Sequence, residues 1–74
     1  MNYSNYVSCP TDVIFDVGGG QTTNYNIGKH SGVDNINVFR EDGYVVVTFS
    51  DDSHIEYPYH RLISAHYKAE EINL

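Results

Sequence analysis

The stretch from residue 42 to residue 62 constrains the fold of this 74-residue chain more than any other part of the sequence. It has the pattern of a β-hairpin. An Asp-Gly turn at 42–43 is followed by β-branched and aromatic residues over 44–50. A polar Asp-Asp-Ser turn at 51–53 then leads into a returning segment over 54–59. The stretch therefore predicts two antiparallel strands joined by a short turn.

The predicted strand over 44–50 is apolar on both of its faces. Because side chains alternate between the faces of a strand, every second residue from 45 to 49 points one way. Tyr44, Val46 and Thr48 point the other way. We therefore expect a central strand that is covered on both faces. The core would centre on four side chains: Val45, Val47, Phe49 and Ile55.

Other segments extend this β pattern along the chain. Residues 13–17 alternate as a strand, and residues 35–41 should pair with 44–50 across the Asp-Gly turn. The segment from Met1 to Pro10, with Tyr3, Tyr6 and Val7, is a weaker candidate for an edge strand that Pro10 would end. The tail from Arg61 onward fits either a strand over 62–67 or a helix, and we favour the strand, followed by a frayed or helical end. The chain is predicted to be mainly β: one domain over 1–74, with a small antiparallel sheet or partly closed β-barrel of four to five strands and a short C-terminal element.

Composition narrows the possible functions. The chain has four Lys and Arg against ten Asp and Glu, a net charge of −6, which argues against a nucleic-acid binder. Cys9 is the only cysteine, so no intrachain disulfide can form, and a reducing cytoplasm is expected. No apolar run is long enough to predict a membrane segment. A core this small is marginal, so we expect a protein partner or a homo-oligomer.

A glycine-rich string that follows the strand over 13–17 is a candidate ligand site. From Val13 to Thr23 the sequence resembles the phosphate-binding hairpin in the superfamily of actin, the heat-shock chaperone ATPases and the sugar kinases. In that hairpin the backbone N–H groups of a Gly-rich turn hold nucleotide phosphates. The alternative is a flexible β-turn, which we favour because this chain is too short for the two lobes of that superfamily. The resemblance implies these ligand-loop candidates: Gly18, Gly19, Gly20, Thr22 and Thr23.

Catalytic and metal sites have weaker support in the sequence. The four histidines do not have the spacing of a metal site, although His54 and Glu56 would share one strand face. Cys9 has no histidine close in sequence, and adjacent carboxylates such as Asp51-Asp52 fit turn geometry. We therefore expect no enzyme activity, no metal and no cofactor.

The composition favours a non-enzymatic protein-binding module, such as a phage or mobile-element accessory protein that inhibits a host protein. Aromatic residues beside charged ones are typical of binding hot spots. The alternative is a β-rich homo-oligomer that binds a small anionic ligand at the rim formed by residues 18–23. The predicted interaction residues are Asp51, Asp52, Tyr57, Tyr59 and Arg61. Tyr57 and Tyr59 have a second interpretation, in which they complete the core.

Overall fold

The computed structural model describes residues 7–67 and confirms the mainly β class. Seven antiparallel strands and one turn of 3₁₀-helix, Tyr59–Arg61, make up the regular structure of these residues. The strands are β1 (Val7–Ser8), β2 (Asp12–Gly18), β3 (Gln21–Asn26), β4 (Val33–Phe39), β5 (Tyr44–Phe49), β6 (His54–Pro58) and β7 (Leu62–His66).

The strands form two sheets where one was predicted. The order is β1-β4-β5-β6 in the four-stranded sheet and β3-β2-β7 in the three-stranded sheet. Within residues 7–67 the end strands of each sheet do not pair with each other, so neither sheet closes into a barrel. The chain changes sheet between β1 and β2, where Pro10 is fully buried, and again before β4 and before β7.

The predicted hairpins define the four-stranded sheet. β5 pairs with β4 through Ile36↔Val47 and Val38↔Val45, and with β6 through Val47↔Ile55. Val45 and Val47 are 0% exposed, as expected for the middle strand of a sheet. The buried core contains these side chains: Val13, Phe15, Val33, Ile36, Val38, Val45 and Val47.

Two expectations about the core were wrong. Ile55 is 38% exposed, because β6 is an edge strand and its side chains are covered from one side only. The second sheet also covers only one face of β5. On the opposite face Tyr44, Val46 and Thr48 are half-buried, and none of them packs against the core.

The C-terminal element is a strand, as favoured from the sequence. β7 pairs with β2 through Val13↔Ala65, so the end of the described chain joins the second sheet. The Tyr67 hydroxyl lies 2.9 Å from the Ser8 Oγ atom and links this end to β1 in the other sheet. The edge strand expected between residues 1 and 10 is confirmed in its described part, because β1 pairs with β4 at the edge of the four-stranded sheet and ends before Pro10. The frayed or helical end expected after residue 67 lies outside the described residues.

Candidate functional site

An aromatic cluster between the sheets contains the predicted interaction residue Tyr57. Its ring stacks on the fully buried ring of Phe15, with centroids 4.1 Å apart. Tyr25 packs edge-on against Phe15 at 6.2 Å and against Phe49 at 5.9 Å. Since β2 and β3 belong to one sheet and β5 and β6 to the other, the four rings join the two sheets.

The hydroxyl groups of Tyr25 and Tyr57 are hydrogen-bonded to each other at 2.8 Å. Burial raises the pKa of Tyr57 to about 12, and the hydrogen bond with Tyr25 adds to the effect. Burial and the hydrogen bond both favour the neutral form of the Tyr57 phenol. The polar tip of Tyr57 is thus already satisfied inside the protein, and its placement fits the interpretation in which this residue completes the core.

The 3₁₀ turn after β6 places the other two predicted residues of this region. Tyr59 is half-buried against the core, and its backbone N–H donates to the carbonyl oxygen of Gly43 at 2.8 Å. Arg61 is exposed, and its Nη1 atom donates a long hydrogen bond of 3.4 Å to the main-chain oxygen of Asp16. A shallow cleft of about 210 Å³ forms here, lined by Asp16, Val17, Tyr57, Pro58 and Arg61.

The glycine string forms the turn between β2 and β3. Gly19 and Gly20 have φ values of 62° and 75°, the left-handed pair that a two-residue type I′ hairpin requires. The backbone N–H of Gly18 donates to Asp16 Oδ1 at 2.9 Å, so a carboxylate already occupies that amide. This geometry is that of the β-turn interpretation. Of the threonines in β3, Thr22 is exposed and Thr23 is half-buried.

Asp51 and Asp52 lie in the turn at the opposite end of β6 from Arg61. The Ser53 hydroxyl and backbone N–H both donate to Asp51 Oδ1, and these bonds hold the pKa of the Asp51 carboxyl below its usual value. β6 spans five residues, or about 17 Å, so the turn and the cleft are separate places. The structure brings Tyr57 and Arg61 together with the start of the glycine turn, and it leaves the two aspartates apart from them.

The outer face of the four-stranded sheet is the feature that sequence reasoning missed. The pairs Val7↔Phe39, Phe39↔Tyr44 and Tyr44↔Pro58 place four side chains in one row across all four strands. The Phe39 and Tyr44 rings lie 4.9 Å apart, and Val7 is 45% exposed. We call these residues the outer apolar row: Val7, Phe39, Tyr44 and Pro58.

Most positions around the outer apolar row are polar or charged, with Val46 as an apolar exception. The next positions inward on the same face are Asn37, Val46 and Glu56, which are directly opposite one another in the sheet. Glu41 and Asp42 are exposed in the turn beside the row, next to the exposed Arg40, and Asp51 and Asp52 are exposed in the turn at the far end of β5. An apolar centre with a polar and charged rim is thus present on a face that no second layer of residues 7–67 covers. The period-two pattern contained this signal, because it made both faces of β5 apolar.

Metal and thiol chemistry gain no geometric support in the described chain. Within residues 7–67 there is no group of three or more His, Cys, Asp and Glu side chains that could hold a metal ion. His54 and Glu56 are both exposed on the outer face, as a pair on one strand. Cys9 is exposed, and its Sγ atom accepts a long hydrogen bond of 3.4 Å from Asn37 Nδ2.

Comparison with known proteins finds no relative of this chain. No protein-family model matches the sequence. No curated protein matches it significantly, and no solved structure does so either. Among residues 7–67 no helix is long and apolar enough to cross a membrane.

Proposed function

We propose that this protein is a non-enzymatic protein-binding module whose docking surface is the outer face of the four-stranded sheet. The outer apolar row is the observation that carries the proposal. Phe39 and Tyr44 lie on the face away from the core, so they are not needed to cover the buried residues. Contiguous apolar side chains rimmed by polar ones are typical of protein–protein contact sites.

The chemistry of this face indicates what kind of partner fits it. The centre offers aromatic rings and Val46, which bury well against apolar side chains of a partner. Glu56 lies on the face, and Glu41 and Asp42 lie beside it in a turn that also holds Arg40. The chain as a whole has a net charge of −6. A partner with an apolar centre and basic residues around it would complement both features, and charge attraction would speed the encounter.

The interaction residues expected from the sequence have different places in this proposal. Asp51 and Asp52 lie at the far end of the sheet, about 17 Å along β6 from Pro58, where they would contribute to association rate more than to affinity. Next to Pro58 lie Tyr57, near the end of β6, and Tyr59 and Arg61, in the 3₁₀ turn that follows it. The small size and acidic surface also fit the accessory inhibitor of a host protein that the composition favours.

A capture experiment with matched variants tests the proposal. Tyr44→Lys places a charge in the outer apolar row, and Ile14→Lys places the same charge at a 37% exposed position of the three-stranded sheet. Wild-type protein and both variants are immobilised and incubated with lysate of the producing cell. The retained proteins are then quantified by mass spectrometry. A partner retained by the wild type and by Ile14→Lys, and lost with Tyr44→Lys, supports the proposal. Equal retention by all three would contradict it, provided that the variants have the same thermal stability.

Binding of a small anion by an oligomer is the second candidate. The observation in its favour is the cleft in which the Arg61 guanidinium lies beside Gly18 and Asp16. The 3.4 Å bond from Arg61 to a neutral carbonyl is weak enough to exchange for an anionic ligand. The Asp16 carboxylate opposes such a ligand by charge. Titration with inorganic phosphate, followed by the amide NMR signals of residues 18–20, would show saturable shifts that disappear in Arg61→Gln if this candidate is correct.

A further inference from the structure

We propose that two copies of this protein pair through the free edge of β3 and so form a continuous six-stranded sheet. β3 is an end strand in the order β3-β2-β7, so one of its edges has no strand beside it within residues 7–67. The free edge of β3 is a different surface from the outer face of the four-stranded sheet. Success or failure of the pairing is therefore independent of the proposed function.

The hydrogen-bond pattern shows which residues of β3 face that edge. The Ile27 N–H donates to the Thr11 carbonyl oxygen at 2.9 Å, so Ile27 directs its N–H to the side of β2 and this bond flanks a non-hydrogen-bonded pair, Asp12↔Asn26. In an antiparallel ladder hydrogen-bonded and non-hydrogen-bonded pairs alternate, so Thr23 and Tyr25 also direct their main-chain groups to β2. The main-chain N–H and C=O groups at the free edge belong to three residues: Thr22, Asn24 and Asn26.

The other edge strands carry features that prevent pairing, and β3 does not. In β6 the Phe49 N–H donates to Ser53 O and the Tyr59 N–H donates to Gly43 O. This pattern leaves the main-chain groups of Glu56 and Pro58 at the free edge of the strand. A carboxylate and a proline, which has no N–H, both protect an edge. β7 itself contains a bulge between Leu62 and Ser64, whereas the register shift in the β2–β3 ladder falls in β2 and leaves β3 regular. The described part of β1 has two residues. β3 has six residues with no charge and no proline.

A second copy of the chain is the occupant that this edge fits. Most surfaces of a chain with net charge −6 repel a copy of themselves, but two neutral β3 edges do not. An antiparallel pair about a two-fold axis through Asn24 places Asn24 opposite its own copy and Thr22 opposite Asn26. Each of these residues then exchanges both main-chain hydrogen bonds with the residue opposite it. Such an interface is self-complementary, as two-fold symmetry requires.

Cysteine cross-linking tests this arrangement directly. In a Cys9→Ser background, Asn24→Cys would place two sulfurs on residues whose Cα atoms lie about 5.5 Å apart in a hydrogen-bonded pair, within the range of a disulfide. Ser64→Cys is the matched control, because Asn24 and Ser64 flank Ile14 on opposite sides in the same sheet and both are exposed. Mild oxidation should give at least about tenfold more covalent dimer with Asn24→Cys than with the control. Equal cross-linking of both variants would overturn the proposal.

A charge variant provides the second readout. Asn24→Lys puts two positive charges directly opposite each other across the axis, which destabilises the pair. Light scattering should give the mass of two chains for the wild type and for Ser64→Lys, and the mass of one chain for a folded Asn24→Lys. Mixing Asn24→Lys with Asn24→Asp should restore the dimer. A wild type that stays at the mass of one chain at several hundred micromolar, or an Asn24→Lys variant that stays dimeric, would refute pairing through β3.

Discussion

The ring of Phe15 in β2 stacks on the ring of Tyr57 in β6 at a centroid distance of 4.1 Å, and this contact joins the two sheets. Phe15 is fully buried, whereas Tyr57 keeps one side at the cleft beside Pro58. The hydrogen bond between the Tyr57 and Tyr25 hydroxyls joins β6 to β3 as well. A small core without disulfides thus depends on a few aromatic contacts between its two layers.

The hydrogen bond between Tyr25 and Tyr57 should contribute measurably to stability. Tyr57→Phe keeps the ring stack on Phe15 and removes one hydroxyl, so the half-buried Tyr25 hydroxyl loses its partner. We expect the free energy of unfolding to fall by about 0.5–1.5 kcal/mol. Tyr25→Phe should have a similar effect, and the double variant should lose less than the two single losses added together. Additive losses in denaturant unfolding would show that the two hydroxyls act independently.

The raised pKa of Tyr57 makes stability depend on pH in the alkaline range. Its pKa is about 12 in the folded state against an ordinary value of 10.0, because burial and the bond to Tyr25 favour the neutral phenol. Between these values the unfolded chain has lost a proton that the folded chain keeps, so stability falls as pH rises from about 10 and levels off above about 12. Unfolding free energies measured over this range should show a shallower decline in Tyr57→Phe. The same slope in both proteins would argue against this source of the pH dependence.

Substitutions on the two faces of β5 should differ sharply in cost. Val47 is fully buried, and Val47→Ala should lower the free energy of unfolding by about 1–3 kcal/mol through lost burial and a partial cavity. Val46→Ala removes the same atoms from the half-buried outer face and should cost less than about 0.5 kcal/mol. Chemical denaturation of both variants measures the difference. Similar costs for the two would mean that both faces of β5 are covered.

The cost of substitutions in the glycine turn should depend on backbone conformation and not on steric clashes of the new side chain. Gly19 has φ of 62°, and a Cβ atom there would meet nothing within 4 Å. Gly19→Ala should therefore destabilise the protein by about 1–2 kcal/mol through the left-handed backbone alone. Gly19→Asn should stay close to the parent, because Asn-Gly is favoured in type I′ turns. Thermal unfolding that ranks Asn at or below Ala would contradict this turn geometry.

Much of the fold could be predicted because local patterns determine it. The period-two alternation of residues 44–50 identified Val45 and Val47 as core, and the Asp-Gly turn correctly paired this strand with the one before it. The division into two sheets could not be predicted. It depends on pairs such as Val13↔Ala65, which are distant in sequence and have no local signal.

The candidate site was harder to predict than the strands, for a physical reason. The alternation showed that both faces of β5 are apolar, and a buried middle strand was the natural interpretation. Only the placement of all strands shows that the second sheet covers one face and that the other carries Phe39 and Tyr44. Tyr57 illustrates the reverse case. As an aromatic residue with a polar hydroxyl, Tyr57 was predicted to lie in an interface, but its contacts with Phe15 and Tyr25 place it between the sheets.

The affinity of a captured partner for matched variants tests the docking surface most directly. Titration calorimetry would compare wild type, Tyr44→Lys and Ile14→Lys at equal salt concentration. If the outer apolar row is the hot spot, Tyr44→Lys should weaken Kd by about 30-fold or more, which corresponds to about 2 kcal/mol. Ile14→Lys, which adds the same charge to the other sheet, should stay within about twofold of wild type. Equal weakening by both variants, or an unchanged Kd for Tyr44→Lys, would show that the partner binds elsewhere.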